Sequence, residues 1–217
     1  MEKEMIEKIF DKPKVIAVCS DVNEGKSNLI YHLITDLKKN YRFSLYSYGL
    51  RVDLGERKIY TLDELEVIKD SIIFIDEFNT LFELDDRTKK RSVESSLRLI
   101  NHNNNILVLV GTPDNFRKFI SAKVDVILFK RCTIADFING STIKNRCLSY
   151  RGEEKGSAVL NIDVDKCLVY DGNYWKPIDV PYLSEYDTKA KNKPLLESVG
   201  KIVEKSLKRR NANCGGK

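Results

Sequence analysis

The sequence lacks any apolar stretch near the roughly 18 consecutive residues that cross a bilayer. Its longest, Ile72 to Ile75, Ile106 to Val110 and Val124 to Phe129, have the length of strands. No membrane span is expected. The opening residues, Met1-Glu2-Lys3-Glu4-Met5, are of mixed charge and have no apolar core of a signal peptide, so the expected location is cytoplasmic. Cysteine occurs five times (19, 132, 147, 167 and 214) but never as a CxxC pair, and only two histidines accompany it. That argues against a zinc site and against a disulfide framework. Cys19, Cys147 and Cys167 lie in apolar strand-like runs, where a thiol behaves as a small buried hydrophobe. No internal repeat is visible.

What is present is a globular composition, 42% hydrophobic and 32% charged over 217 residues, enough to bury a core without staples. The net charge of +5 is modest but uneven. Residues 189–217 hold Lys189, Lys191, Lys193, Lys201, Lys205, Lys208, Arg209, Arg210 and Lys217 against Glu197 and Glu204. Such a tail suits nucleic acid phosphates or an acidic partner, and equally a solvated, solubilising role.

Strand-like and helix-like segments alternate through the first two-thirds. Lys14 to Cys19 reads as a buried strand, and Lys26 to about Lys39 as a helix with Leu29, Ile30, Leu33, Ile34 and Leu37 at helical spacing. Strands follow at Ser44 to Tyr48, Ser71 to Ile75, Ile106 to Val110 and Val124 to Phe129. Between them come helices: one opened by the capping box Thr61-Leu-Asp-Glu64 and running to about Lys69, one from Asp85 to Asn101, and a short one from Phe116 to Ala122. This is an α/β pattern, a mostly parallel sheet covered on both faces by helices. After Arg131 the texture changes. A short helix at Thr133 to Gly140 precedes short strands at Arg146 to Tyr150, Ala158 to Ile162, Cys167 to Tyr170 and Tyr174 to Trp175, an antiparallel extension over 131–183. Residues 1–183 therefore form the expected main domain. Residues 184–217 add a basic linker and an amphipathic helix opened by Pro194.

Between the first strand and first helix stands Ser20-Asp21-Val22-Asn23-Glu24-Gly25-Lys26-Ser27, followed by Asn28. Gly-x4-Gly-Lys-[Ser/Thr] in this context is the phosphate-binding P-loop, here with Ser20 in place of the first glycine. Backbone N–H groups and a helix N-terminus must converge on a polyphosphate, which a residue without Cβ permits at position 25. Lys26 supplies a point charge to the β/γ-phosphates, and the Ser27 hydroxyl is a ligand for Mg²⁺. Residues 20–28 are thus the expected ATP-binding set. Asp21 and Glu24 put carboxylates into a loop that must hold a polyanion.

Ile72 to Ile75 ends in Asp76-Glu77. A strand end presents Asp76 rigidly enough to hold Mg²⁺, and Glu77 can orient and deprotonate water as general base. Thr112 leaves the next strand at the sheet edge where open α/β folds bind ligands, placed to sense the γ-phosphate or water, or simply to form the turn before Pro113.

In Ser20 to Ser27, Ile72 to Glu77 and Ile106 to Phe129 the chain resembles the additional-strand ATPases of the FtsK/HerA type, which include DNA translocases, conjugation motors and viral genome-packaging ATPases. The resemblance covers about the first 130 residues. That family often has Gln where Thr112 stands. The residues expected to be catalytic are Lys26, Glu77 and Thr112, and the resemblance implies a homo-oligomeric ring, duplex DNA as partner, and an arginine donated across the subunit boundary from among Arg91, Arg98, Arg117 and Arg131. Two other readings fit the same motifs: a small-molecule phosphotransferase of the nucleotide-kinase kind, and a non-catalytic nucleotide-binding module. The first typically needs an arginine-rich lid, and the second is at odds with intact Lys26, Ser27, Asp76 and Glu77.

Overall fold

Strands of a parallel sheet with helices on both sides are buried on both faces, and their sequences are correspondingly apolar throughout. Lys14–Cys19 (β1) and Ile106–Gly111 (β5) are buried at every residue, and Ser71–Asp76 (β4) at every residue but Asp76. The computed structural model describes residues 3–21, 25–51, 53–82, 90–131, 162–163, 165–171 and 175–181. All of them fall within Met1–Tyr182, the first of two units into which the chain divides.

The other strands are Ser44–Tyr48 (β2), Arg57–Lys58 (β3), Val126–Phe129 (β6), Lys166–Tyr170 (β7) and Trp175–Asp179 (β8). They form one mixed sheet in the order β3-β2-β4-β5-β1-β6-β7-β8. Pairing is parallel from β3 to β6, and antiparallel for β6 with β7 and β7 with β8. The expected α/β fold with an antiparallel C-terminal extension is what the structure has. Expectations for 132–161, including the helix at 133–140, the strand at 146–150 and most of that at 158–162, lie outside the described residues, as does everything after 181.

The helices are Lys3–Ile9 (α1), Lys26–Asn40 (α2), Glu64–Val67 (α3), Phe78–Leu81 (α4), Lys90–His102 (α5) and Lys118–Ser121 (α6). Helix α2 buries the apolar stripe expected of it, together with Tyr31 and His32. Helix α5 buries Val93, Leu97 and Ile100 at helical spacing against the sheet, and residues 85–89 of the helix expected there lie outside the described residues.

Three local readings need correction. Helix α3 ends at Val67 rather than near Lys69, because Ile68 turns extended (φ −73°, ψ 133°) toward β4. Of the capping box only one half forms: the Glu64 carboxylate accepts the N–H of Thr61 at 2.9 Å and that of Tyr60 at 2.8 Å. Two-residue β3 and helices α1 and α4 were not expected. They are too short for periodicity to mark them, and α1 is recognisable only by what it buries, Met5, Ile6 and Ile9.

Cys19 and Cys167 are buried, as expected of small hydrophobes. Burial pushes the Cys167 thiol up to about 12 against a weaker opposing pull from the Lys130 charge, so it is inert at neutral pH. Among the described residues no helix is long and apolar enough to cross a membrane.

Candidate functional site

Strand β1 delivers its loop rigidly. Ser20, just past its end, is fully buried, and its N–H reaches Gly111 O at 3.4 Å. On the other side the Lys130 N–H donates to Cys19 O (3.0 Å) and the Asp21 N–H to Arg131 O (3.0 Å), so the loop base is laced to both neighbouring strands. Gly25 then takes the left-handed conformation, φ 86° and ψ 20°, immediately before α2. A residue with a Cβ is strained there, and glycine gives the helix N-terminus no side-chain cap, the kind of helix start at which backbone N–H groups meet an anion. The Lys26 ammonium folds back over the loop, donating to Asp21 O (2.6 Å), Ser20 O (3.0 Å) and Ser20 Oγ (3.3 Å). Ser27 is half-buried in the first turn of α2. Asn28 donates from its amide to Pro181 O at 3.2 Å, tying α2 to the chain just past β8. Val22, Asn23 and Glu24 lie outside the described residues.

Strand β4 carries Asp76 to the same edge of the sheet. Gly49, after β2, packs so closely there that a Cβ on it would fall 2.7 Å from Asp76 O, and its φ of 76° also favours glycine. Asp76 Oδ1 accepts the Glu77 N–H at 3.0 Å. Burial, and then the adjacent Glu77 charge, push the Asp76 carboxyl up to about 6, although that N–H, Lys26 and Arg51 pull the other way. The Asp76 carboxylate and the Ser27 hydroxyl stand at the same edge of the sheet, and both are hard oxygen donors of the kind that Mg²⁺ takes.

The raised pKa has a stability consequence. The folded state holds this proton more tightly than the unfolded chain, so stability is lost as pH rises from about 3.8 to about 6 and stays lost above. The cost at neutral pH is on the order of 3 kcal/mol. Asp76→Asn is therefore expected to raise the melting temperature of the nucleotide-free protein at pH 7.5 and to leave it nearly unchanged at pH 4, while weakening the Mg²⁺ dependence of nucleotide binding. Thermal melts at the two pH values, and calorimetry with and without Mg²⁺, check both halves. A variant that melts lower than the wild type at pH 7.5 would refute the desolvation argument.

Glu77 is exposed and sits at φ 51°, ψ 47°, a left-handed conformation that costs a non-glycine residue about 1 kcal/mol or more. Phe78 holds it there. The Phe78 ring is fully buried, with ring centroids 4.8 Å from Phe116 and 5.8 Å from Phe82. The strand carrying Asp76 is not a neighbour of β1; β5 lies between them. Thr112, half-buried just past β5, therefore stands between the phosphate loop and the carboxylates. Behind it, Asn115 donates to Asn79 Oδ1 at 3.3 Å, linking the post-β5 turn to α4.

One residue at this edge escapes sequence reading. Lys130 follows β6 and is only 1% exposed. A Cβ on Gly25 would lie 3.3 Å from its Cε and 3.7 Å from its Nζ. The signal available was the one that picked out Thr112, a polar residue leaving the C-terminal end of a parallel strand, but the parallel pairing of β6 with β1 is not legible in the sequence. Of the arginines considered as donors, Arg98, Arg117 and Arg131 are exposed, and the Arg91 side chain lies outside the described set. A cavity of about 300 Å³ lined by Met5, Lys14, Asp125 and Lys176 lies at the opposite ends of the strands. Open α/β sheets bind at the carboxyl ends, which makes the loop edge, not this cavity, the candidate site.

The fold is the α/β fold of P-loop NTPases. More particularly, the chain is similar to the genome-packaging NTPase B204 of Sulfolobus turreted icosahedral virus 2 in complex with sulfate, with a TM-score of 0.56 and 17% identity over 79% of this chain and 98% of that one. The same protein in complex with ATPγS gives a TM-score of 0.54 and 16% identity, over 78% and 98% of the two chains. The pCW3 conjugation coupling protein TcpA with ATPγS gives a TM-score of 0.55 and 15% identity, over 81% of this chain and 62% of that one. These similarities bear out the resemblance read from the motifs, at the level of fold. No protein-family model and no curated protein matches the chain.

Proposed function

We propose that the protein binds ATP·Mg²⁺ at residues 20–28, hydrolyses it, and uses the cycle as an oligomer to move or package duplex DNA. The observation that carries the ATP site is the convergence at one sheet edge of a left-handed Gly25 opening α2, the Lys26 ammonium over the loop, and Asp76-Glu77 beyond β5. Lys26 leaves its carbonyl acceptors for the β/γ-phosphates, and the helix N-terminus takes the rest of the phosphate charge. Ser27 and Asp76 would hold Mg²⁺, which would supply neutralisation of the charge on the phosphate oxygens. Glu77 accepts the proton of the attacking water and Thr112 orients that water from the adjacent strand end. The similar proteins crystallised with ATPγS and AMPPCP support the nucleotide as ligand.

The DNA reading rests on the fold shared with a genome-packaging NTPase and a conjugation coupling protein, together with the basic residues of 189–217. Lysine and arginine contacts release counterions, so DNA affinity is expected to fall steeply and log-linearly with salt, with no base preference. Replacing Lys205, Lys208, Arg209 and Arg210 with alanine in the full chain is expected to lower DNA affinity while leaving ATP affinity unchanged. Turnover with and without duplex DNA, and light scattering with and without ATP, test the coupling. A strict monomer whose turnover ignores DNA would leave the ATP site standing and remove the motor.

A further inference from the structure

We propose that Lys130 is a second phosphate-binding cation, meeting the β- and γ-phosphates of ATP from the β6 side of the loop. The inference deepens the nucleotide reading of residues 20–28 and rests on it. Three observations carry it. The loop's own charge is ill-suited to holding a polyanion, since Asp21 and Glu24 set two carboxylates against the single Lys26. Lys130 supplies the missing positive charge from 105 positions beyond Gly25 in sequence, which restores neutrality before a polyanion arrives.

Its placement is also specific. The Lys130 and Arg131 backbone continues β6 alongside the loop through the bonds to Cys19 and Asp21, so the side chain is carried rigidly with the loop. The end of that side chain packs against the point a Cβ at position 25 would take, with Cε 3.3 Å and Nζ 3.7 Å from it. Glycine at 25 thus serves twice, for its left-handed backbone and for avoiding a tight contact with the Lys130 side chain. Finally, the group is nearly fully buried. Burial leaves the side chain little freedom to lose when an anion arrives. A buried charge held at the edge of an anion site is preorganised for that anion.

The test compares wild type, Lys130→Met and Lys26→Ala by calorimetry with ATP and with AMP, which lacks the β- and γ-phosphates. Lys130→Met is expected to lose about ten- to a hundredfold in ATP affinity and to keep AMP affinity within about twofold. If Lys130 serves only to neutralise the loop carboxylates, the variant instead loses ATP and AMP affinity alike, which overturns the proposal. Wild-type ATP binding that Lys26→Ala abolishes and Lys130→Met keeps overturns the role of Lys130 alone. A wild type that binds no ATP overturns the nucleotide reading itself, and this inference with it. Should Lys130→Met not fold, a crystal structure of the wild type with ATPγS decides. Nζ within hydrogen-bond distance of a β- or γ-oxygen supports the proposal, and Nζ contacting protein alone overturns it.

Discussion

Lys26→Ala is expected to reduce ATP affinity by at least about a hundredfold, the effect of losing one or two charge-assisted hydrogen bonds to phosphate. The fold is expected to survive, since the ammonium donates to loop atoms, Ser20 O, Ser20 Oγ and Asp21 O. The melting temperature should therefore change little without nucleotide, while the stabilisation that added ATP gives the wild type disappears. Calorimetry and melts with and without ATP·Mg²⁺ measure the two together. Unchanged affinity in a folded variant would remove the phosphate-loop assignment, and with it every role given to Ser27, Asp76 and Glu77.

Glu77→Gln is expected to keep ATP·Mg²⁺ binding and lose about 10²- to 10⁴-fold in turnover, because shape is retained and the proton acceptor is not. The backbone makes a second, independent variant informative. Glu77 lies in the left-handed region, at φ 51°, where glycine is at ease and an L-residue is not. Glu77→Gly should lose turnover to a similar extent yet unfold at a higher temperature, by roughly 1 kcal/mol of stability offset in part by the greater freedom of glycine in the unfolded chain. A general base kept at a strained position, when glycine would fit better, is a stability–function trade-off with a measurable sign. Wild-type turnover in Glu77→Gln would exclude Glu77 as the base. Lower stability in Glu77→Gly would show that no strain is stored there.

Much of the candidate site was legible because it is local. A strand that is apolar at every position, then Gly25-Lys26-Ser27, then a helix with leucines and isoleucines at about 3.6-residue spacing defines its own geometry within a short span of chain. The same holds for Ile72 to Glu77, where burial on both faces requires four apolar residues and the strand end exposes the first carboxylates. The order of helices and strands, and hence a mostly parallel sheet, follows from two periodicities that neighbouring residues cannot confuse. What turned on long-range pairing was not legible. That β5 inserts between β1 and β4, putting Thr112 between loop and carboxylates, depends on register between segments far apart in the chain. That Glu77 is held left-handed depends on Phe78 finding Phe116 and Phe82.

Lys130 marks the limit most clearly. In sequence it is one basic residue in Phe129-Lys130-Arg131, indistinguishable from a solvated strand end. Only the pairing of β6 with β1 turns it inward and sets its ammonium against Gly25. The sequence by itself determined the chemistry available, namely a glycine, a lysine, a serine and two carboxylates at strand ends, because those features depend on neighbours along the chain. The tertiary structure alone decided which charges share one site, because burial and proximity are set by contacts between segments that no local pattern encodes.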